Sequence, residues 1–284
     1  MRQSSVVIAL CIAGLALSGC DRGGKDVDRA LKDMTAVDEN NLSDVMLSVA
    51  DPKEAVSYFT RAIAENPGRT DIRRNLAKAH LRAGQAPEAA KLFEALANSP
   101  EGLADDRVNL AEAHIRANDW KRAEAVLNTI PPTHETFQRY RLEAMVADAN
   151  KNWKKADSFY EIASGLTDRP AGVLNNWGYS KLTRADYKGA EKLFVDALRY
   201  DPKLFTAKNN LVMARGAQRK YDLPVVEMTQ TERAELLHTM ALTAIKAGDV
   251  RTGRGLLQEA VETHPQHFDA AARALRALEG NVKQ

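Results

Sequence analysis

Asp186-Tyr-Lys-Gly-Ala-Glu-Lys-Leu-Phe-Val-Asp-Ala-Leu-Arg-Tyr-Asp-Pro202 reads as one amphipathic helix closed by a proline. Small Ala190, large Phe194 and small Ala197 fall on one face of it, at offsets of four and seven residues. The same offsets occur upstream in Ala55, Phe59 and Ala62, followed by Pro67. Ala89, Phe93 and Leu96 come 34 residues later, and Ala123, Leu127 and Ile130 another 34 on. Ala156, Tyr160 and Ala163 follow after 33, and Ala190 after 34 more. Gly253, Leu257 and Ala260, with Pro265, make a last copy near the C-terminus.

A small residue lets two antiparallel helices approach, and the large one a turn later fills the gap. A helix pair of this length buries too little surface alone, so neighbouring pairs must stack. The period of 34 with this alternation resembles the tetratricopeptide (TPR) repeat. The resemblance implies an all-α fold, a solenoid of stacked antiparallel helix pairs. Five repeats and a half repeat are expected over 36–222: 36–69 with a degenerate first helix, 70–103, 104–135, a fourth after Pro131-Pro132, and 171–204. Trp120 and Trp153 fall at matching turns, and with Trp177 they read as core. Phe205 to Arg215 opens another first helix, but Leu223-Pro-Val-Val226 stands where its partner belongs. Proline and β-branched residues disfavour helix there, so 223–230 reads as an extended linker. The region 231–280 is a C-terminal repeat, capped at Thr231 with Glu232 in its first turn, followed by a closing helix over Phe268 to Leu278.

The start of the chain sets the expected compartment. Met1-Arg2 precedes an apolar run from Val6 to Leu17, too short for a membrane-spanning helix of about 20 residues. Leu17-Ser-Gly-Cys20 resembles a bacterial lipobox, which implies a signal peptide over 1–19, cleavage before Cys20 and acylation of that cysteine. Multiple acyl chains would anchor the body stably to a membrane, facing the periplasm, with polar 20–35 as a tether. Asp21 resembles an inner-membrane retention signal. The other cysteine, Cys11, lies in the signal, so the body offers neither a disulfide framework nor a Cys-based metal site. The formal net charge of +2 drops by one with Arg2 removed, too small a field to suggest a nucleic-acid partner.

No catalytic motif stands out, and no cofactor is expected. His80 and His114 are 34 residues apart, in equivalent positions; with no carboxylate or thiol set around them they read as packing residues rather than a metal pair. Asn75, Asn109, Asn176 and Asn210 share one repeat position, with gaps of 34, 67 and 34. An amide donates and accepts together, so this ladder suits an extended peptide in the groove; the same amides could instead bond a neighbouring helix. Arg74, Lys78 and Arg82 recur every fourth residue, with Arg116 one repeat beyond Arg82. Facing the groove they would favour an acidic segment or terminal carboxylate; facing water they are a solvated helix side.

The whole plan resembles the TadD-type lipoproteins of tight-adherence (Tad, or Flp) pilus systems. The residues that carry the likeness are Leu17-Ser-Gly-Cys20, Asn175-Asn-Trp-Gly-Tyr179, Phe205-Thr-Ala-Lys-Asn-Asn-Leu211 and the Leu223-Pro-Val-Val226 interruption. The resemblance implies a pilotin-like adaptor at the outer membrane, where Asp21 points instead to the inner one, with a secretin or another component of the pilus machinery as protein partner. A general scaffold for outer-membrane or cell-wall assembly, and a lipoprotein enzyme with an unrecognised site, are the readings of other classes.

Overall fold

The computed structural model describes residues 42–281, and every regular element among them is a helix. Cys20, its signal and tether, and the start of the first expected repeat lie outside the described residues. The chain divides into two compact units between Gln85 and Ala86, a boundary that falls inside the stretch 70–103.

The first unit holds α1 (residues 42–48), α2 (Pro52–Glu65) and α3 (Thr70–Arg82). Asp51 starts α2 by accepting from the backbone N–H groups of Lys53 and Glu54, and Pro52, which needs no donor there, occupies the first turn. Ala55 and Phe59 turn inward with no exposed surface, and α2 packs on α3.

The second unit runs α4 (Ala86–Ala97), α5 (Ala104–Arg116), α6 (Trp120–Leu127), α7 (Phe137–Ala149), α8 (Trp153–Gly165), α9 (Ala171–Thr183) and α10 (Tyr187–Tyr200). It continues with α11 (Phe205–Ala217), α12 (Gln230–Lys246), α13 (Val250–Thr263) and α14 (Asp269–Asn281). Each of these helices packs against the next in the chain. The small–large–small positions are the contact face throughout: apart from half-buried Ala62 in the first unit, all of them are buried. Their fit is tight. A methyl group added to Gly178 on α9 would sit 2.6 Å from the Phe194 ring on α10, so that glycine is what lets the aromatic close the pair.

The turns repeat as regularly as the faces. Asn118, Lys151, Ala185 and Arg219 each adopt positive φ, as Gly84 does in the first unit, and each ends a first helix. The residue after each donates its N–H back to the helix: Asp119 to His114, Asn152 to Ala147, Asp186 to Lys181 and Lys220 to Arg215. This left-handed cap satisfies carbonyls that the helix end would orphan.

After the turn at Arg219 no second helix forms. Residues 220–229 run without helix, and Leu223, Val226 and Met228 pack on the cores beneath, in place of a helix face. Lys208 on α11, only 2% exposed, fixes the segment by donating to the Glu227 carbonyl at 2.7 Å and pairing with Glu232 at 3.3 Å. The cap of α12 differs from the sequence expectation. Thr229, not Thr231, is the N-cap, and it forms a reciprocal box with Glu232. The spacing of three from threonine to glutamate decides this, because only it lets both side chains reach both backbone donors. Phe268, Leu275 and Leu278 of the closing helix region cover the cluster of Leu237, Ala241, Leu257, Ala260 and Ala271.

Candidate functional site

Two adjoining clefts open along α9 in the second unit. The first, about 400 Å³, lies over α7, α8 and α9, and Trp120, Met145 and Trp153 are among the residues that line it. The second, about 380 Å³, is shared by α9, α11 and α12 and lined by Leu182, Tyr187, Met213 and Thr243. Tyr179 and Thr183 line both, so the two form one track. Tyr179 stands 51% exposed at their junction.

Local structure explains the tryptophans. Each opens a second helix just after a left-handed turn, with Asp119 or Asn152 capping the helix and holding its start in place. The sequence reading of Trp120 and Trp153 as core holds only in part: both are half-buried and line the cleft, and Trp120 also packs against the buried cluster of Val108, Leu127 and Val146. A residue at the first helical position after such a turn sits at the end of the pair, where only one side is covered. Trp177 is half-buried too, but the Asp157 carboxylate takes its indole N–H at 2.6 Å and its ring stacks on Tyr160.

Two carboxylates on consecutive helices contrast here, Asp148 in the lining of the first cleft and Asp157 outside it. Asp148 on α7 accepts from the Ser180 hydroxyl at 2.7 Å and the Tyr160 hydroxyl at 2.9 Å, and forms no ion pair among the described residues. Burial pushes its carboxyl above the ordinary range, although the two hydroxyls and the field of Arg184 pull the other way. Burial and the same carboxylate raise the Tyr160 hydroxyl. Asp157 on α8 is set differently. It accepts from Trp177, pairs with Lys181 at 3.3 Å and bonds Arg184, which also lies over the Trp153 ring at 5.6 Å. Burial works to raise this group too, but Arg184, Trp177 and Lys181 outweigh it and hold it below the usual carboxylate value.

The ladder residues have separate settings. Asn176 lines the first cleft. Asn210 donates to Asn175 at 3.0 Å, joining α11 to α9, and Asn109 accepts from Gln138 at 3.1 Å, joining α5 to α7. Gln138 also donates to Glu112, which pairs with Arg116 at 2.6 Å and Arg141 at 3.2 Å. Burial would raise Glu112, yet the two arginines and Gln138 bring it below its ordinary value. In the first unit, Asn75 and Arg74 are half-buried on α3 and Lys78 is exposed. Arg82 donates to the carbonyls of Met46 and Ala50, closing the end of α1. His80 contacts the Gln85 amide at 2.6 Å, and His114 is buried, with burial lowering its pKa. Among the described residues no three His, Cys, Asp or Glu side chains gather as a metal site would require, and no helix is long and apolar enough to cross a membrane.

A family model for the tetratricopeptide repeat matches residues 46–102. No curated protein matches the chain. Among solved structures, Cut9–Hcn1 of the APC/C superposes with a TM-score of 0.61 at 14% identity, over 83% of this chain and 48% of that one. This chain therefore spans about half the length of that relative. A tetratricopeptide repeat protein from Parabacteroides merdae gives 0.55 at 13% identity, over 84% of this chain and 96% of its own. The Thermus thermophilus protein TTC0263 gives 0.54 at 18%, over 61% and 95%. The fold is that of the tetratricopeptide repeat. Repeats of this kind stack into extended surfaces, and the α9 track runs along one such surface within one unit.

Proposed function

We propose that this tetratricopeptide-repeat chain is a protein-binding adaptor whose α9 track holds an extended segment of a partner. The observation that carries the reading is the continuity of the two clefts through exposed Tyr179, with tryptophan walls and the Asn176 amide at hand. Exposed aromatics supply contact area at low entropic cost, and an amide can grip a peptide backbone. The wider setting rests on the sequence resemblance to the TadD-type family: Cys20 acylated, the body on the periplasmic side, and a secretin or other pilus component as partner.

The test is a crosslinked pull-down from bacterial envelopes, comparing native protein, Cys20→Ser and the pair Asn176→Ala with Tyr179→Ala. Recovery of a secretin, reduced at least fivefold by the groove pair and mislocalised by Cys20→Ser, is the expected result. Equal capture by the groove pair would overturn the track as the binding site. Recovery of cell-wall or outer-membrane assembly proteins instead would replace the pilus role with a general envelope scaffold.

A further inference from the structure

The first cleft has one charged lining residue, Asp148, and no lysine or arginine in its wall. That is out of keeping with its surroundings. Glu112, Glu143, Asp157 and Glu191 are also withdrawn from solvent in this unit, and each holds an arginine or lysine. Asp148 has only two hydroxyls, one on each oxygen, and each oxygen keeps a further lone pair for a donor. A carboxylate in such a place gains most from a cation that arrives with its own apolar stem, because burial strengthens the attraction that water would otherwise screen. The walls suit the same guest. Trp120 and Trp153 present indole rings, whose faces attract a cation, and Met145 adds an adaptable apolar contact. Trp153 already carries one such contact, from Arg184.

We propose that the cleft over α7, α8 and α9 seats one basic side chain, arginine or lysine, of the segment held along the track, its cation against Asp148 and its stem along Trp120 and Trp153. The inference rests on the reading of the track as a peptide groove and adds to it the chemistry of the residue that anchors the segment. It runs opposite to the preference for acidic ligands that Arg74, Lys78, Arg82 and Arg116 would give if they faced the groove rather than water. Of those residues Arg116 is held by Glu112 and Arg82 by backbone carbonyls.

The experiment follows the three indole N–H signals of the full-length chain in detergent at pH 7.5 by NMR. The probes are N-acetylated, C-amidated Gly-Arg-Gly, Gly-Lys-Gly and Gly-norleucine-Gly. Both cationic peptides should move the Trp120 and Trp153 signals saturably, and the norleucine peptide should bind at least tenfold more weakly. Asp148→Asn should weaken the cationic peptides about tenfold and leave the norleucine peptide unchanged. An unmoved Trp177 signal, whose N–H is held by Asp157, reports that the variant keeps its fold. Trp120→Leu is an independent variant and should cost the cationic peptides about fivefold. Equal binding of norleucine and cationic peptides, or no effect of Asp148→Asn, would overturn the charge assignment while the groove stands. If no peptide moves either cleft signal, the groove reading falls with it.

Discussion

Asp148 and Asp157 sit on consecutive helices, and the protein has solved their burial in opposite ways. Asp157 is surrounded by an indole N–H, a lysine and an arginine, so its charge is answered from within the fold. Asp148 is hydrogen-bonded only by neutral hydroxyls, with Arg184 acting on it from a distance, and burial leaves its carboxyl harder to ionise. A closed network of the first kind supports packing, since removing one member strands a partly desolvated charge. A carboxylate left open at a cleft floor adds little to folding and is available to a ligand. The contrast separates a carboxylate on α8 that ties the repeat together from one on α7 that lines the cleft.

The largest expected effect comes from breaking the closed side. Arg184→Ala should lower stability by about 2 kcal/mol, below the cost for a fully buried pair because Asp157 keeps 31% of its side-chain surface exposed. A urea melt of the variant with an unchanged midpoint would show that Asp157 is not held in the way its contacts imply. Asp157→Asn should cost less, about 1 kcal/mol, because an amide oxygen can still accept from Trp177.

Acid sharpens the same contrast, because the two carboxyl pKa values are moved in opposite directions. The folded pKa of Asp157 lies below its ordinary value of 3.8, so the folded state resists protonation there. Its contribution is fully present above that value and is lost as pH falls through the lower folded pKa. For Asp148 the folded pKa lies above 3.8, so ionisation costs stability, and the cost is relieved as pH falls through the raised value. Denaturation of wild type, Asp157→Asn and Asp148→Asn from pH 7 to pH 3 checks both. The deficit of Asp157→Asn should persist to the ordinary value and shrink below it. Any advantage of Asp148→Asn should shrink at higher pH than that. Parallel curves would mean that the two sites are not different in kind.

The packed half of this contrast was far more legible in the sequence than the open half. Ala190, Phe194 and Ala197 and their copies announce themselves by spacing, because helix contact imposes a size rule at fixed offsets. All three are buried without exposed surface. Ala190→Leu, which would overfill that contact, should cost about 2 kcal/mol in a thermal melt. The track has no such rule. Its lining comes from separate helices, and its aromatic residues fit the repeat pattern equally well as core, which is how Trp120 and Trp153 read. The asparagine ladder shows the limit from the other side. Equal repeat positions placed Asn176 at the cleft, yet Asn210 reaches back to Asn175, one residue off the ladder, and Asn109 is taken by Gln138. Partner choice at that level depends on the distance between neighbouring first helices, which spacing along the chain does not encode. The α12 cap shows the same at short range: Thr229 and Thr231 both precede Glu232, and the reciprocal bonds with Thr229 settle it.

The smallest expected effect is on the open side, and its sign matters more than its size. Asp148→Asn removes a charge that burial disfavours but keeps an oxygen to accept a hydroxyl; the serine and tyrosine hydroxyls can turn to accept as well as donate. The substitution should therefore raise stability at pH 7 by about 0.5 kcal/mol, where a structural carboxylate of the Asp157 kind would lose stability. Paired urea melts at pH 7 of wild type and Asp148→Asn read this directly. A clear loss of 1 kcal/mol or more would put Asp148 among the groups that hold the repeat together and remove the main reason for assigning it to a ligand. A small gain, together with weaker binding of a basic peptide, is the combination a binding carboxylate should give: the charge costs the free protein and is repaid only when the cleft is filled.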